Sequence, residues 1–505
     1  MRRSPLVVFL AVAGSPALAA TYTVTSADND GPGTLRQAIV DANANVGADT
    51  IAFAIPGNGL HTIAPTSGLP SITDALVIDG YTQPGAAPNT NLPTQGGLNG
   101  VLAIELSGAN VPLSGSTGLE TGHADTTIRG LVINGFRTAI GLGSSSAGAP
   151  DFDVKIEGCY LGTNAGGTAA VGADRRIGVD GSSQVQAHVV IGGADAAARN
   201  LISGFDGAES TGGVALHAAL GGPIIRGNLI GTDASGMVAI ANRIGVGIDQ
   251  AGTAPTVPGA LVKDNLVSGN GLGGLLVSCS TSCTDGLAIS GNVIGTRRDG
   301  NAPLPNGSYG LRFVTSSASA AYFLVGGTAA ADENVIAWNG SLGLTIANNG
   351  KGTIEIARNR IFANGGLDID LPNPESGRNS NDAHDMDGSG FANRLQNFPV
   401  IVSASQAGNQ LTLRYKVPTA TAYATYPLTV RLYRKGAGTG GDRWLADDSY
   451  GAIDAELEKQ VVLTLPSALG LPGLVATAAD ADGNSSEFSD PYVFSDLIFA
   501  NDFER

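Results

Sequence analysis

An asparagine followed by two mostly apolar residues returns along the middle of this chain: Asn200-Leu-Ile, Asn228-Leu-Ile, Asn265-Leu-Val, Asn292-Val-Ile, Asn334-Val-Ile and Asn359-Arg-Ile. Cys159-Tyr-Leu occupies the same slot one repeat earlier, and Leu131-Val-Ile one before that. Recurrence at this scale is the signature of a solenoid, in which each unit buries its apolar face only by stacking on its neighbours. The gaps between the marks alternate short and long without exception, so the true repeat is a pair of units. Long units follow Cys159, Asn228 and Asn292, and each opens alike: Leu161-Gly162-Thr163, Ile230-Gly231-Thr232, Ile294-Gly295-Thr296.

Between the marks lie short β-rich runs such as Val189-Val190-Ile191, Leu287-Ala288-Ile289 and Thr353-Ile354-Glu355-Ile356, bounded by Gly, Asn and Asp. Such runs read as strands separated by tight turns. Nothing helical separates them, which excludes βαβ units. The fold class is therefore all-β: a right-handed parallel β-helix with an N-terminal helical cap, followed by a small Ig-like β-sandwich. The expected divisions are a signal peptide at 1–19, a cap at 20–75, the coil at 76–375, an acidic linker at 376–397, the sandwich at 398–490 and a tail at 491–505. With 73 glycines, 43% hydrophobic and only 14% charged residues, the composition suits many turns around a long core.

An asparagine at one fixed corner can stack on its neighbours and bond to the turning backbone, so Asn200, Asn228, Asn265, Asn292, Asn334 and Asn359 are read as a structural ladder, with Cys159 as an inert corner thiol at its start. The extra residues of the long units must leave the coil as loops. Because they leave at one repeated position, they should stack on one face, where they serve either as a contact surface or as turns alone. Charged residues just before the marks, Arg199, Asp264, Glu333 and Arg358, read as a solvated face.

Met1-Arg2-Arg3, the apolar run Leu6 to Gly14 and Ala17-Leu18-Ala19 have the order of a secretory signal, with cleavage after Ala19. No stretch reaches the roughly 20 apolar residues of a transmembrane helix. A secreted or outer-surface location is expected, where Cys279 and Cys283 can close a small disulfide loop. The net charge of −16 disfavours nucleic acid and anionic membrane as partners. It leaves an extracellular polysaccharide or a cell-surface component, bound by a monomer.

At the front, Leu35, Ala38, Ile39 and Ala42 stand at helical spacing and predict an amphipathic cap. Here Thr34-Leu35-Arg36-Gln37-Ala38-Ile39 resembles the Leu-Arg-x-Ala core of the bacterial secreted right-handed parallel β-helix repeat proteins of the CSLREA-type group. Gly33 and Thr34 replace the group's Cys-Ser, and Gln37 replaces its Glu. Ile78 to Gly85 and the runs Gly192 to Asn200 and Gly326 to Asn334 are similar to that group as well. The resemblance implies the fold and export. It implies no activity, because such proteins are mostly described as surface or extracellular proteins of undefined role.

Behind the coil, Gln410–Val417, Leu428–Tyr433, Gln460–Leu465 and Gly473–Ala478 alternate as sandwich strands. Asp382, Asp385 and Asp387 precede Gly388 on a polar stretch, which suits either a structural calcium ion or a solvated acidic linker. No cofactor is required. Asp368 and Asp370, two apart on a strand, would face one side roughly 6.5–7 Å apart, as glycosidase carboxylates can; alternation on a solvent-facing strand produces the same pattern. The adjacent Asp447-Asp448 lie outside the coil, Gly122-His123 stands alone, and no catalytic residue is assigned. The expected function is a non-catalytic scaffold for binding or adhesion. The alternative is a polysaccharide lyase or glycoside hydrolase working in a groove of the coil.

Overall fold

The computed structural model describes residues 18–494, apart from 113–115, 123, 144–151, 182–186, 208–211, 218–221, 250–259, 280–285, 316–320, 348–350, 372–376, 387–389, 466–469 and 471. Successive rungs place one strand in each of three parallel sheets. The first runs from Thr21–Val24 through Asp49–Phe53 and Leu76–Asp79 to Thr353–Ala357, the second from His61–Ile63 to Arg360–Phe362, and the third from Thr117–Thr121 to Ile369–Asp370. The chain is a parallel β-helix, as its repeat requires.

Register keeps like residues in columns. Ile202, Ile230, Val267, Ile294, Ile336 and Ile361 are consecutive partners in the second sheet, all pointing into the core and fully buried. A slip by one residue would turn this whole column outward, which holds the register in place.

Helix α1, Leu35–Ala44, is capped at its start by Thr34, whose hydroxyl accepts the Gln37 N–H, and it buries Leu35, Ala38, Ile39 and Ala42. Parallel pairing begins ahead of residue 76: Thr21–Val24 already stacks on Asp49–Phe53, with α1 between them in the chain. Arg36, from the motif core, ties the helix to the next loop through the Ser67 and Gly68 carbonyls.

The far end of the coil is closed by two antiparallel sheets with a core of their own around Leu413, Tyr415, Leu432 and Tyr450. One sheet holds Val400–Ala407, Gln410–Lys416 and Lys459–Thr464. The other holds Gly441–Tyr450, Leu428–Lys435, Gly473–Ala479 and Tyr492–Val493. The fourth strand thus joins the second sheet, unlike the immunoglobulin constant arrangement, where it joins the first.

A terminal rung exposes unpaired backbone and apolar interior, and here each edge has a named cover. Ile361 pairs with Gly441, continuing the second sheet into the antiparallel unit. Asn393 accepts the Ile354 N–H at 2.6 Å and donates to the carbonyls of Ile354 and Ser485, while Ser485 Oγ accepts from Ile356 N. Glu487 accepts from the backbone of Leu371 and Asn379. Tyr433, Val475 and Phe488 fill the apolar end. The stretch expected as an acidic linker is therefore part of the join, because the open edge of a sheet needs polar partners.

Candidate functional site

The asparagine marks form one hydrogen-bonded column at the corner between the first and second sheets. Nδ2 of Asn200 donates to Oδ1 of Asn228, and the same geometry repeats through Asn265, Asn292, Asn334 and Asn359 at 2.8–3.0 Å. Each Oδ1 also accepts the backbone N–H of the preceding mark, and each Nδ2 reaches a carbonyl on the first-sheet strand of the rung below. The amides are fully engaged and at most 1% exposed, so they build the corner and carry no chemistry. Cys159 starts the ladder by donating its N–H to Asn200, and burial pushes its thiol up to about 12.

A second ladder was not foreseen. Asn242, Asn270, Asn306, Asn339 and Asn364 run up the next corner and end on Asp368. Its signal was the recurring Asn-Gly at 270, 306, 339 and 364, which reads locally as an ordinary turn.

The long units leave the coil between these two ladders as tight hairpins, closed by Thr163–Ala170, Thr232–Ala239 and Thr296–Pro303 bridges. They stack directly: Ala234 N donates to Gly167 O and Arg298 N to Gly236 O. A hairpin is two strands thick, about 9.6 Å, and so fills two rungs of about 4.8 Å. This is the physical reason that long units alternate with short ones. The corners of the two short units between them are held by a hairpin on either side; Gly204, for example, donates its N–H to Ile240 O, and a Cβ on it would meet Ala170 at 2.8 Å.

The hairpins fold back over the outer face of the second sheet, where Tyr160, Leu201, Leu229 and Leu266 form an apolar stripe with Ala234. Residues 87–101 strap across the same stripe, with Ala87 paired to Val101 and Leu98 N bonded to Ala234 O. Beside the first ladder lie three cavities in succession, the strap crossing the corner between the first two through the Asn89 to Ala196 O bond. The first, ≈310 Å³, lies among Asp79, Tyr81, Arg129, Glu157 and Asp195. The second, ≈350 Å³, has Leu266 and Val293 beneath, Leu92–Thr94 above, and Arg199, Arg226, Asp264 and Arg298 around it. The third, ≈510 Å³, lies where coil and sandwich meet, among Glu333, Arg358, Arg360, Arg434, Arg443 and Trp444.

The residues before the marks line these cavities: Asp264, Glu333 and Arg358 are half-exposed, as a solvated face expects, whereas Arg199 is buried. Asp264 and Arg358 hold the left-handed corner conformation, at φ 58° and 50°, that Gly158 and Gly227 adopt without strain. At Arg199 and Glu333 short 3₁₀ turns, Ala196–Ala198 and Ala330–Asp332, replace that corner and bulge beside the cavities. Arg199 is only 4% exposed and is held by the carbonyls of Gly227, Asn91 and Gly96. Burial, reinforced by Arg298, brings its guanidinium down to about 10. Arg226 is neutralised by Asp264 at 2.9 Å. At the third cavity Arg358 stacks on the Trp444 ring, 4.2 Å from its centroid, and Arg434 pairs with Asp442.

No protein-family model or curated protein matches this chain. Among solved structures it is similar to the Azotobacter vinelandii mannuronan C-5 epimerase AlgE6 A-module, with 14% identity and a TM-score of 0.41 over 69% of this chain and 79% of that one. At that distance the likeness bears on neither substrate nor reaction.

The carboxylates singled out from sequence do not converge. Asp368 is not on a solvent-facing strand but fully buried, accepting from Asn364, Thr439 and Gly440. Asp370 bonds Thr345 Oγ1 at 2.9 Å. Both carboxyls are pushed up by burial, yet they close a ladder and a sheet edge. Asp448 is bonded by Tyr415 and Lys459. Asp385 accepts from Gln396, Asn397 and Thr419, and Asp382 from Met386 and Asn397, so both tie the loop to the coil–sandwich join. Among the described residues no group of three metal-ligating side chains assembles. Asp387, Cys283 and His123 lie outside the described residues, as does the signal segment up to residue 17; Cys279 is disulfide-bonded.

Proposed function

We propose that this chain is a non-catalytic scaffold, secreted or held at the cell surface, that binds an extended polysaccharide along the groove beside the first asparagine ladder. The observation that carries this reading is the succession of three cavities on one corner of a regular coil, from the rung of Glu157 to that of Arg358. Six rung steps of about 4.8 Å make a track of roughly 29 Å, which favours a long, repeating ligand over a compact one. The apolar floor of the middle cavity, Leu266 and Val293, with polar groups on its walls, and the exposed side of Trp444 in the third suit sugar rings, which present C–H faces and hydroxyl edges. Of the hairpins, expected as a contact face or as turns alone, the one closed by Thr296 and Pro303 contributes Arg298 to the middle cavity.

The test is a glycan array on the chain without residues 1–19, followed by reducing-sugar and unsaturated-product assays with and without calcium. Capture of a polysaccharide without turnover is expected. Turnover of any bound glycan would overturn the non-catalytic reading in favour of a lyase or hydrolase, and capture of none would overturn the binding reading.

A further inference from the structure

The middle cavity holds more positive charge than its surroundings balance. Of its three arginines only Arg226 has a carboxylate partner among the described residues, Asp264. Arg199, almost wholly buried, is met by neutral carbonyls alone, and Arg298 is close enough to disfavour its charge. The Arg298 Nε is itself buried without a hydrogen-bond partner. A buried cation without a counter-charge is costly, as is a buried N–H without an acceptor. Both costs fall away when an anion enters. The excess is local, since the chain as a whole carries −16. Beneath the two guanidiniums lie Leu266 and Val293, which offer no partner to a second charged group but a flat apolar contact to a ring.

We propose that the cavity between Arg199 and Arg298 seats the carboxylate of a uronic acid residue, so that the polysaccharide held in the groove is an acidic one; this rests on the binding-groove reading above. Arginine suits the task because its planar fork can present two donors to a carboxylate. Overall negative charge does not forbid it, because repulsion from distant carboxylates is screened beyond about 8 Å at physiological salt.

The test measures calorimetric affinity of the full chain without residues 1–19 for oligogalacturonate and oligomannuronate, for neutral cello- and malto-oligosaccharides, and for inorganic phosphate. Arg298→Gln is the main variant, with Arg297→Gln, on the same hairpin but outside the cavity, as control. Arg199→Gln is secondary, because Arg199 also holds the strap and its loss could unfold it. Acidic oligosaccharides should bind, weakening with added salt, and Arg298→Gln should weaken them by about tenfold or more while Arg297→Gln leaves them within about twofold. Equal binding by wild type and Arg298→Gln would overturn the carboxylate seat. Neutral oligosaccharides binding as tightly as acidic ones would overturn it too, while sparing the groove. Phosphate binding as tightly as the oligouronates would reduce the cavity to a simple anion site and overturn the sugar assignment. Binding of no oligosaccharide at all would remove the groove reading itself.

Discussion

Asn228 Nδ2 donates to Asn265 Oδ1 at 3.0 Å, and that same oxygen accepts the backbone N–H of Asn228 at 2.9 Å. One side-chain oxygen therefore satisfies two buried donors of the rung below. Asn265→Ala strands both and should cost about 3 kcal/mol or more. Asn265→Asp should fare no better, because its second oxygen would face the acceptors Ile225 O and Asn292 Oδ1, which Nδ2 now reaches. Denaturant unfolding followed by circular dichroism reads both; a loss below about 1 kcal/mol for the alanine variant would contradict the ladder's role.

Cys159 touches Ile128 O and Glu157 O through its sulfur, the places an asparagine amide takes one rung later. Asn should therefore be accepted there, with stability changed by less than about 1.5 kcal/mol. The native thiol, buried and pushed up to about 12, should resist a thiol reagent until the coil unfolds. Stoichiometric labelling of the folded chain at Cys159 would refute this.

Gly204 sits at φ 94° between two hairpins, with Ala170 2.8 Å and Gly162 O 3.1 Å from the place of a Cβ. Gly204→Ala should destabilise by about 2 kcal/mol and raise proteolytic cleavage within the 163–170 and 232–239 hairpins. Gly286→Ala, at φ 99° but with open space around it, should cost only its backbone strain. Equal losses at the two sites would argue against the stacking.

Burial raises the Glu487 carboxyl from 4.5 to about 8, with backbone donors from Leu371 and Asn379 opposing the shift. Between these values the folded chain keeps a proton that the unfolded chain releases. Stability should therefore fall as pH rises from about 5 to about 8 and level off above. Glu487→Gln should match wild type near pH 5 and melt higher than it above pH 8. Parallel melting profiles across the range would exclude Glu487 as the source of the slope.

Asp385 is 5% exposed and accepts from Gln396, Asn397 and Thr419 at the coil–sandwich join. Asp385→Ala should lower the melting temperature by several degrees, and by the same amount with calcium or with a chelator. Chelation that lowers the wild-type melt and spares the variant would instead place a calcium ion there.

The coil was legible because its signals are local and repeated. The marks from Cys159 to Asn359, the inward column from Ile202 to Ile361 and the cap residues Leu35 to Ala42 follow from periodicity, and periodicity survives in one dimension. Strands Val400–Ala407 and Gly441–Tyr450 were missed because long, half-exposed sandwich strands carry weaker alternation. The Asn-Gly ladder was missed because a tight turn accounts for that dipeptide without any stacking partner.

The groove belongs to another order of information. Arg199 stands before an asparagine mark just as Asp264 and Arg358 do, and nothing in its neighbours announces that it is buried. That is settled by Asn91 and Gly96, 108 and 103 residues away, whose carbonyls reach it from a strap with no periodicity of its own. Sequence alone determined a stacked coil with an asparagine corner and paired short and long rungs, since each rung must bury the same face against the next. Only the tertiary structure decided which charges are buried and where a cavity remains, because burial depends on how distant segments fold back over an outer face, and no local pattern encodes that distance.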